Sequence, residues 1–397
     1  MAPILNPGGY SSEALSYADA LQKAYRSSGQ KGDFGLRQFA EQTNRNFVRG
    51  LPKGLGSRIS KMLTRGKRRT PWDVVVCHST PDVWHEDGAF SWGRVEPCPP
   101  VGTKHSIGRS MYETDALPET WVPRLNRMDE VWVPSHFGLE HFVSSGVQRN
   151  KIAVVPEAVD TDLFDPAAHE ALELGGTEGL YRFLSVFKWE KRKGWDILLR
   201  AYFQEFSAVD DVILVIKTQA FHSDDDFHNK VLAEISKAQE AGGAPDQPAR
   251  YKLLSEDLTL KDLPRLYQAA DAFVLPSRGE GWGRPHVEAM AMSLPVIATN
   301  WSGSTDFLSA DIALPLPIDG LAKAEGAVGR WAEPSSEALR RLMRWAQQHP
   351  GEAKKLGEAA RRRMVEDFSP ERVVSRYVLP LLRRFSDGGR TQERSEL

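Results

Sequence analysis

Cysteine is scarce in this chain of 397 residues, which contains only Cys77 and Cys98. Two thiols are too few for a disulfide framework, and they cannot supply the four ligands of a cysteine-only metal site. The scarcity of cysteine therefore favours a protein of a reducing compartment.

Long apolar stretches are absent as well. No segment approaches the roughly 20 consecutive apolar residues that a membrane-spanning helix needs. Residues 1–20 lack a basic segment followed by an apolar run, so they do not resemble a signal peptide. From these absences we expect a cytoplasmic protein, for which contact with the surface of a membrane remains open.

A surplus of either charge is the third absence. Lysine and arginine number 51 and aspartate and glutamate number 53, which leaves a formal net charge of −2. The whole protein therefore has no general attraction for nucleic acid, and a site for an anion has to be local. Residues 61–70 form one basic cluster, which we interpret as a solvated loop; the alternative is a patch that steers an acidic acceptor or touches anionic lipid.

What the sequence does contain is an alternation of short β-branched runs with amphipathic segments. A chain of this length exceeds one ordinary domain, so we expect two. Apolar strands that alternate with helices are typical of parallel sheets covered on both faces, which predicts the α/β class. The predicted strands cover residues 73–79, 130–135, 151–157, 181–187, 211–217, 271–277 and 295–299.

The alternation pauses at residues 158–180, which are polar, acidic and rich in glycine and proline. We interpret this stretch as the linker between an N-terminal domain over residues 1–168 and a C-terminal domain over residues 178–369. Residues 241–250 have a similar composition, and for them we predict a loop inside the second domain. The charged end of the chain, residues 389–397, is predicted to be a disordered tail.

Residues 273–307 carry the strongest functional signal. A strand is followed by a glycine-rich turn and by a helix that begins near Pro285, and proline suits the first position of a helix. The glycines that let a ligand approach the main chain of this turn are Gly279, Gly281 and Gly283. The positive start of the helix suits a diphosphate, and ligands of α/β sheets bind at the carboxyl ends of strands.

Two carboxylates, Glu280 and Glu288, bracket this turn with seven residues between them. The first lies in the loop and the second on the first helical turn, so both can face one crevice. A carboxylate accepts two hydrogen bonds and matches a vicinal diol such as a ribose or a hexose edge. The structural alternatives are a solvated loop residue for Glu280 and stabilisation of the helix dipole for Glu288.

The spacing of the two glutamates within residues 276–303 resembles the donor-site signature of the retaining glycosyltransferases of family 4, which have the GT-B fold. The resemblance implies that Glu280 contacts the transferred sugar and that Glu288 holds the ribose of the nucleotide. It also places a stretch of backbone along the sugar edge, that of Gly281, Trp282 and Gly283. The family more often has phenylalanine at position 282 and a small or aliphatic residue at position 284, so Arg284 is a candidate for recognising donor or acceptor.

A second match precedes it, in which a strand is followed by a basic turn and a helix. The resemblance places Lys188 and the pair Lys193-Gly194 on the donor diphosphate, although arginine is commoner at the first of these positions. Such cations offset the charge that grows on the leaving group. We interpret Lys191 and Arg192 as solvent-facing.

Three further residues are candidates for the same donor site. The turn at Ser302 and Gly303 follows a strand end and is a candidate source of backbone donors for the diphosphate, with a structural turn as the equal alternative. Lys217 ends a predicted strand and is a candidate cation for the same site.

The N-terminal half is expected to hold the acceptor. The resemblance places Gly8 and Gly9, at the start of a predicted helix, opposite the donor phosphates; the alternative is an ordinary helix cap. Glu113 stands in a segment where many members of the family have a histidine, and we predict that it orients or deprotonates the acceptor hydroxyl. His78 is the alternative for this role.

The resemblance as a whole implies two Rossmann-like domains that face each other across a cleft, with a helix over residues 370–388 returning to the first domain. It implies transfer of a hexose from a GDP- or UDP-sugar, with retention of configuration, to a hydroxyl of a glycan, lipid, protein or small molecule. We predict no metal and no cofactor, and we interpret residues 224–226, all aspartates, as a charged loop. The alternatives are an inactive nucleotide-sugar-binding module and a phosphorylase-like or epimerase-like enzyme.

Overall fold

Two parallel sheets form the centres of two structural units, so the predicted α/β class is confirmed. The computed structural model describes residues 1–6, 8–27, 34–39, 43–51, 53–66, 72–84, 88–90, 93–95, 97–220, 226–242, 247–256 and 258–386. One unit comprises Met1–Met111, Leu117–Ala158 and the chain from Asp367 onward. The other unit comprises Tyr112–Ala116 and Val159–Glu366.

The first unit contains a sheet of four parallel strands, each hydrogen-bonded to the next along the chain. In spatial order these strands are Val74–His78, His105–Arg109, Glu130–Val133 and Ile152–Val154. A separate antiparallel pair is formed by Gly88–Phe90 and Gly93–Val95. The α-helices that precede the return of the chain are Gly9–Ser27, Arg45–Gly50, Lys53–Gly66, Trp121–Arg127 and His136–Ser144.

The end of the described chain packs on this first unit. It consists of the helices Pro370–Val373 and Leu379–Ser386, joined by the π-helical turn Val374–Val378. Their apolar side chains share one buried cluster with residues of the first helix and of the sheet, among them Tyr17, Leu21, Ile107, Trp132, Val373, Val374 and Val378. The predicted return of the chain is therefore confirmed, whereas residues 389–397 lie outside the described residues.

The second unit contains a sheet of six parallel strands. In spatial order they are Arg250–Leu254, Val212–Ala220, Tyr181–Trp189, Ala272–Leu275, Val296–Thr299 and Leu314–Leu316. Its α-helices are Trp195–Glu205, Phe227–Ala241, Asp262–Gln268, Arg284–Ala291, Ser336–Gln348 and Pro350–Asp367. Numbered along the chain, the strand order is 3-2-1-4-5-6, which is the order of the Rossmann fold.

The reversal of this strand order positions the functional site. The strands Tyr181–Trp189 and Ala272–Leu275 are neighbours at the centre of the sheet, and the chain winds away from them in opposite directions. The turns that follow their carboxyl ends therefore meet above the sheet, at the position where doubly wound folds bind ligands. The two segments that carry the family resemblance are these two turns.

Some elements of the second unit were not predicted. The strand Arg250–Leu254 begins where the predicted loop of residues 241–250 ends. It is an edge strand whose side chains are at least partly exposed, so it lacks the apolar run that marks the central strands. An antiparallel hairpin of Ile318–Lys323 and Arg330–Pro334 was missed for a similar reason, because its first strand is largely exposed.

The predicted linker contains a boundary between the units, at Ala158 and Val159. It has little regular structure beyond a short 3₁₀ turn, but it packs on the second unit. The N–H of Leu172 donates to the carbonyl of Arg265 at 2.9 Å, and the ring of Phe164 lies edge-on to Tyr267. The stretch is thus a docked segment of the second unit, and its polar composition alone did not indicate this.

The two cysteines form a disulfide in the first unit. Cys77 lies in a strand and Cys98 lies 21 residues further along the chain, with 5.8 Å between their Cα atoms. The expectation of a reducing compartment rested on the scarcity of cysteine. A disulfide between the two cysteines does not support it.

Three predictions about surface clusters concern partly described segments. None of the helices within the described ranges is long and apolar enough to cross a membrane. The basic cluster of residues 61–70 lies on the helix Lys53–Gly66 as far as Gly66, and its remainder is outside the described residues. Residues 224 and 225 are also outside them, and elsewhere in the described chain no three His, Cys, Asp or Glu side chains are grouped to hold a metal.

Candidate functional site

The candidate site is built on two turns at the switch point of the second sheet. The turn Lys191–Lys193 follows one central strand, and residues 276–283 follow its neighbour. The two turns approach each other closely at Gly194, where a Cβ atom would lie 1.9 Å from the carbonyl oxygen of Pro276. Its φ of 68° also favours glycine, which explains the Lys-Gly pair of the motif in physical terms.

A buried ion pair joins the two turns. The Lys193 ammonium group donates to both carboxylate oxygens of Glu280, at 2.7 and 2.9 Å. Only 8% of Lys193 and 5% of Glu280 are exposed. Two residues that are 87 positions apart in the sequence, and that were both predicted to face the donor, are therefore in direct contact.

Arg192 lies in the same cluster, so the prediction that it faces solvent is wrong. Its guanidinium group donates to the carbonyl of Gly279 at 2.7 Å, to Glu280 at 3.1 Å and to Glu190 at 3.0 Å. It also lies 3.5 Å from a carboxylate oxygen of Glu113. Three consecutive basic residues in a turn have no periodicity that indicates which of them points inward, and only the packed structure resolves this.

The electrostatics of this cluster keep its carboxylate ionised. Burial by itself raises the pKa of Glu280, but the charges of Lys193 and Arg192 outweigh it and lower that pKa from 4.5 to about 2. Burial likewise lowers the pKa of Arg192, and the carboxylates of Glu113, Glu280 and Glu190 raise it above its usual range. Glu280 and Arg192 are thus both charged at neutral pH.

The turn at Ser302 and Gly303 supports the backbone of Glu280. The N–H of Glu280 donates to Ser302 Oγ at 2.9 Å, and the N–H of Gly303 donates to the carbonyl of Glu280 at 3.0 Å. A Cβ atom at Gly303 would lie 2.0 Å from the carbonyl oxygen of Gly281. These contacts match the structural alternative, while donation to a diphosphate stays a prediction.

Glu288, the second carboxylate of the motif, has a different environment. It lies on the helix Arg284–Ala291 and is 9% exposed. Tyr267 donates its hydroxyl proton to Glu288 at 3.1 Å, and the Arg284 guanidinium lies 3.8 Å away. Burial raises the pKa of Glu288, against the opposing effects of Arg284 and Tyr267.

The remaining motif residues serve mainly to shape the turn. The ring of Trp282 is buried and lies edge-on to Phe307, with 5.1 Å between the ring centroids, so the side chain packs in the core. Gly283 adopts a φ of 118° and caps the helix that carries Glu288. The predicted contact of a sugar with the backbone of this turn remains a prediction.

Arg278 is a residue of the motif for which sequence analysis predicted no role. Its buried guanidinium group donates to Asp196 at 2.7 and 2.9 Å, to Glu333 at 3.0 and 3.2 Å, and to the carbonyl of Lys191 at 2.8 Å. Arg278 therefore links the turn Lys191–Lys193 to Asp196 and Glu333 and fixes its position. Its partners lie 55 to 87 residues away in the sequence, so no local signal reveals it.

The segment Tyr112–Ala116, which was expected on the acceptor side, belongs to the second unit. Asp115 accepts from the N–H and Nε of Arg330 at 2.6 and 2.9 Å, and Thr114 donates to the carbonyl of Val328 at 2.6 Å. These contacts anchor the segment on the unpredicted hairpin. They place Glu113, whose side chain is 33% exposed, beside Arg192.

The two other predicted cations of the donor site lie on neighbouring strands. Lys188, which is partly exposed, lies near the end of the strand Tyr181–Trp189 and is paired in register with Gln219. Lys217 is buried in the strand Val212–Ala220, and its ammonium group approaches the carbonyl of Thr218 at 3.4 Å. Their roles toward a diphosphate remain predictions.

The predicted residues of the first unit lie at the carboxyl edge of its sheet and at the start of its first helix. Gly9 begins that helix and Gly8 precedes it, and the carbonyl of Gly8 accepts from the N–H of Ser12 as in an ordinary first turn. His78 is buried, with its Nε2 atom 2.9 Å from a carboxylate oxygen of Glu13, which Arg109 also contacts. Burial lowers the pKa of His78, and these contacts are those of a structural histidine.

Comparison with known proteins assigns the chain to a family. The family model described as Glycosyl transferases group 1 matches residues 181–332, and the model described as Glycosyltransferase Family 4 matches residues 29–163. The chain belongs to glycosyltransferase family 4. The matches include the two turns of the candidate site, and the family resemblance inferred from the sequence is confirmed.

Curated relatives of this family 4 chain are distant. D-inositol 3-phosphate glycosyltransferase 1 of Catenulispora acidiphila is 24% identical over 79% of this chain and 80% of its own length. Mannosylfructose-phosphate synthase of Agrobacterium fabrum is 25% identical, over 50% of this chain. The match spans only 46% of the length of that synthase, and for three other curated relatives it spans 38% to 43%.

Solved structures of similar proteins cover nearly the whole chain. Anabaena HepE, in complex with UDP and glucose, aligns with a TM-score of 0.66 over 95% of this chain and 97% of its own, at 15% identity. Sucrose-phosphate synthase from Thermosynechococcus elongatus aligns with a TM-score of 0.64 over 96% and 94%, at 16% identity. At these identities the likeness establishes the fold, and the expected GT-B class is confirmed.

Proposed function

We propose that this chain transfers a hexose from a GDP- or UDP-sugar to a hydroxyl acceptor, with retention of configuration. The observation that carries the proposal is the buried Lys193–Glu280 pair, which joins the two turns at the switch point of the sheet and precedes the helix that carries the buried Glu288. Cations suit the diphosphate, and the carboxylates suit the hydroxyl groups of the sugar and the ribose. Membership of family 4 supports the same class of reaction.

In this proposal Lys193 exchanges partners when the donor binds. Its ammonium group is bonded to both oxygens of Glu280, and a diphosphate entering the site competes for it. Arg192 keeps Glu280 paired during the exchange, because it contacts the same carboxylate independently. Glu280 then remains ionised and accepts hydrogen bonds from the sugar, while Lys193 offsets the charge that develops on the departing diphosphate. Lys188 and Lys217 are proposed as further cations for this group.

Retention follows in this proposal without a covalent intermediate. After this exchange Glu280 stays paired with Arg192 and accepts hydrogen bonds from the sugar, which makes this carboxylate a poor nucleophile. The acceptor hydroxyl attacks from the face that the diphosphate leaves, and positioning and charge stabilisation supply most of the rate. Glu113 is the proposed group that orients the acceptor hydroxyl, since its side chain is partly exposed beside Arg192.

The experiment that tests the proposal is a thermal-shift panel of UDP, GDP, UDP-glucose and GDP-mannose. A ligand that binds the folded state raises the melting temperature by mass action. We expect one nucleotide to stabilise the wild type and to stabilise Glu288→Ala much less. The matched control is Glu366→Ala, which removes an exposed carboxylate from another helix of the same unit and should respond like the wild type.

Either failure of the panel is informative. Absence of any shift in the wild type would overturn the donor site. A shift that survives in Glu288→Ala would keep nucleotide binding but remove Glu288 from it. If the nucleotide binds but no sugar is released from the donor with any acceptor tried, that result favours the alternative hypothesis, an inactive nucleotide-sugar-binding module.

A further inference from the structure

The hydroxyl group of Tyr267 is buried against the second carboxylate of the motif. Tyr267 lies on the helix Asp262–Gln268 and has no exposed surface. Its oxygen is 3.1 Å from Glu288 Oε2 and 3.4 Å from the carbonyl oxygen of Pro285. A phenol has one proton to donate, and an ionised carboxylate is the stronger and nearer of the two acceptors. The hydroxyl proton is therefore directed at Glu288.

No cation takes the place of this hydrogen bond in the surroundings of Glu288 that the structure describes. Arg284 lies one turn earlier on the same helix, and its Nε atom is 3.8 Å from Glu288 Oε1, which exceeds a hydrogen-bond distance. The charged and titratable groups that face Glu288 are thus Arg284 from its own helix and Tyr267 from the neighbouring one. The phenol is the one that binds the carboxylate directly.

We propose that Tyr267 is a positioning residue for nucleotide recognition, whose hydroxyl holds Glu288 Oε2 and so orients the carboxylate that receives the ribose. This inference rests on the proposed function, in which Glu288 accepts hydrogen bonds from the ribose diol. Each carboxylate oxygen accepts more than one hydrogen bond, so Oε2 can keep the bond to Tyr267 while the ribose binds. The tyrosine itself does not need to touch the nucleotide.

The same hydrogen bond also favours the ionised form of Glu288. Burial raises the pKa of this residue, and donation from Tyr267 opposes that rise. Loss of the hydroxyl therefore raises the pKa further, so that Glu288 becomes protonated at a higher pH. A protonated carboxyl group has lost acceptor capacity, and the decline of nucleotide affinity on acidification should begin at a higher pH.

The test is titration calorimetry of UDP and GDP with Tyr267→Phe between pH 5 and pH 8.5. Phenylalanine keeps the ring that packs against Phe164 and Phe273, so the substitution removes little besides the hydroxyl group. We expect the nucleotide that binds the wild type to bind the variant about 10-fold more weakly at pH 7.5, the size of effect typical of a lost hydrogen bond to a charged group. We also expect the acid limb of the affinity profile to move to higher pH.

Tyr202→Phe is the matched control. Tyr202 is likewise buried in the second unit, and its hydroxyl donates to the main-chain carbonyl of Arg250 at 2.6 Å, away from the two motif turns. Its loss should lower stability to a similar degree and leave both the affinity and its pH profile unchanged. This control separates an effect on Glu288 from a general effect of removing a buried phenol hydroxyl.

The outcomes distinguish this inference from the function on which it rests. If Glu288→Gln weakens binding while Tyr267→Phe behaves like Tyr202→Phe, the role of Tyr267 is overturned and the donor site stands. If Glu288→Gln leaves binding unchanged, the ribose contact and the role of Tyr267 both fall, although a nucleotide is bound. If neither UDP nor GDP binds the wild type, the donor site and the inference fall together.

Discussion

Glu280 and Glu288 have the same chemistry, lie within one motif and are both buried, yet their surroundings drive their protonation in opposite directions. Glu280 is enclosed by Lys193 and Arg192, which lower its pKa to about 2. Glu288 has a phenol as its direct partner and a cation at 3.8 Å, and its pKa is raised. The comparison teaches that a carboxylate spacing in the sequence places two acceptors in a site but does not determine how firmly each holds its charge.

The difference follows from where each residue stands in the fold. Glu280 is in the turn at the switch point, where the turn of the neighbouring strand supplies two cations. Glu288 lies on the helix behind that turn, facing the helix Asp262–Gln268, whose contribution is Tyr267. Ion pairing fixes Glu280 within a network, whereas Glu288 has a phenol as its direct partner, which supports its proposed role as an acceptor for a ribose diol.

The largest expected effect comes from neutralising the first carboxylate. In Glu280→Gln the buried charges of Lys193 and Arg192 lose their common partner, and breaking a buried ion pair costs about 3 kcal/mol of unfolding free energy. Urea denaturation at pH 7.5 measures this loss. Glu366→Ala, which removes an exposed carboxylate, should stay within about 0.5 kcal/mol of the wild type. Equal stability of the two variants would contradict the role of the ion pair.

The pH dependence of this contribution has a definite sign. A carboxylate whose folded pKa is depressed contributes stability above its unfolded pKa, and this contribution is lost as the pH falls toward the folded value. For Glu280 that window runs from 4.5 down to about 2. The stability difference between the wild type and Glu280→Gln should therefore shrink across this window.

The sequence was sufficient for the central strands of the second sheet and for the residues that a local motif carries. Those strands, the glycine turn, the two glutamates and the Lys-Gly pair are all defined by neighbours within a few positions along the chain, so local pattern identified them. The strand His105–Arg109 of the first sheet was not predicted. Their arrangement at one edge of the sheet followed from the general rule for ligands of α/β folds. The structure brings Glu280 and Lys193 into contact at 2.7 Å.

The supporting residues could not be predicted in this way. The supporting contacts join residues 21 to 88 positions apart in the sequence, and they are made by Arg192, Arg278 and Tyr267. The sequence around each of these residues does not indicate which way its side chain points. Arg192 stands between two lysines in a turn, and Tyr267 fits an ordinary amphipathic helix. Their importance arises from tertiary packing, which periodicity does not encode. The disulfide between Cys77 and Cys98 was not predicted for the same reason.

An intermediate effect is expected from replacing Arg278, which anchors the turn that supplies the cations of Glu280. Arg278→Met breaks the contacts with Asp196 and Glu333, but these carboxylates are partly exposed and regain water, so we expect a loss of about 2 kcal/mol. The turn of Lys191–Lys193 loses its anchor, so turnover of the donor should fall more than nucleotide affinity does. Steady-state kinetics separate the two effects, and the control is Arg340→Met, which removes a more exposed arginine that pairs with Glu205. If Arg278→Met changed KM alone, Arg278 would not support the turn whose cations pair with Glu280.

The smallest expected effect has the opposite sign and tests the comparison most directly. A carboxylate whose folded pKa is raised destabilises the folded state as the pH rises from its unfolded pKa through its folded pKa. Glu288→Gln removes this penalty while keeping an oxygen that can accept from Tyr267, so the unfolding free energy at pH 7.5 should rise by about 1 kcal/mol, as is common when a binding residue is replaced. Nucleotide affinity should fall in the same variant. If Glu288→Gln were instead destabilised like Glu280→Gln, the two carboxylates would have the same structural role, and the division between a fixed charge and an available acceptor would be wrong.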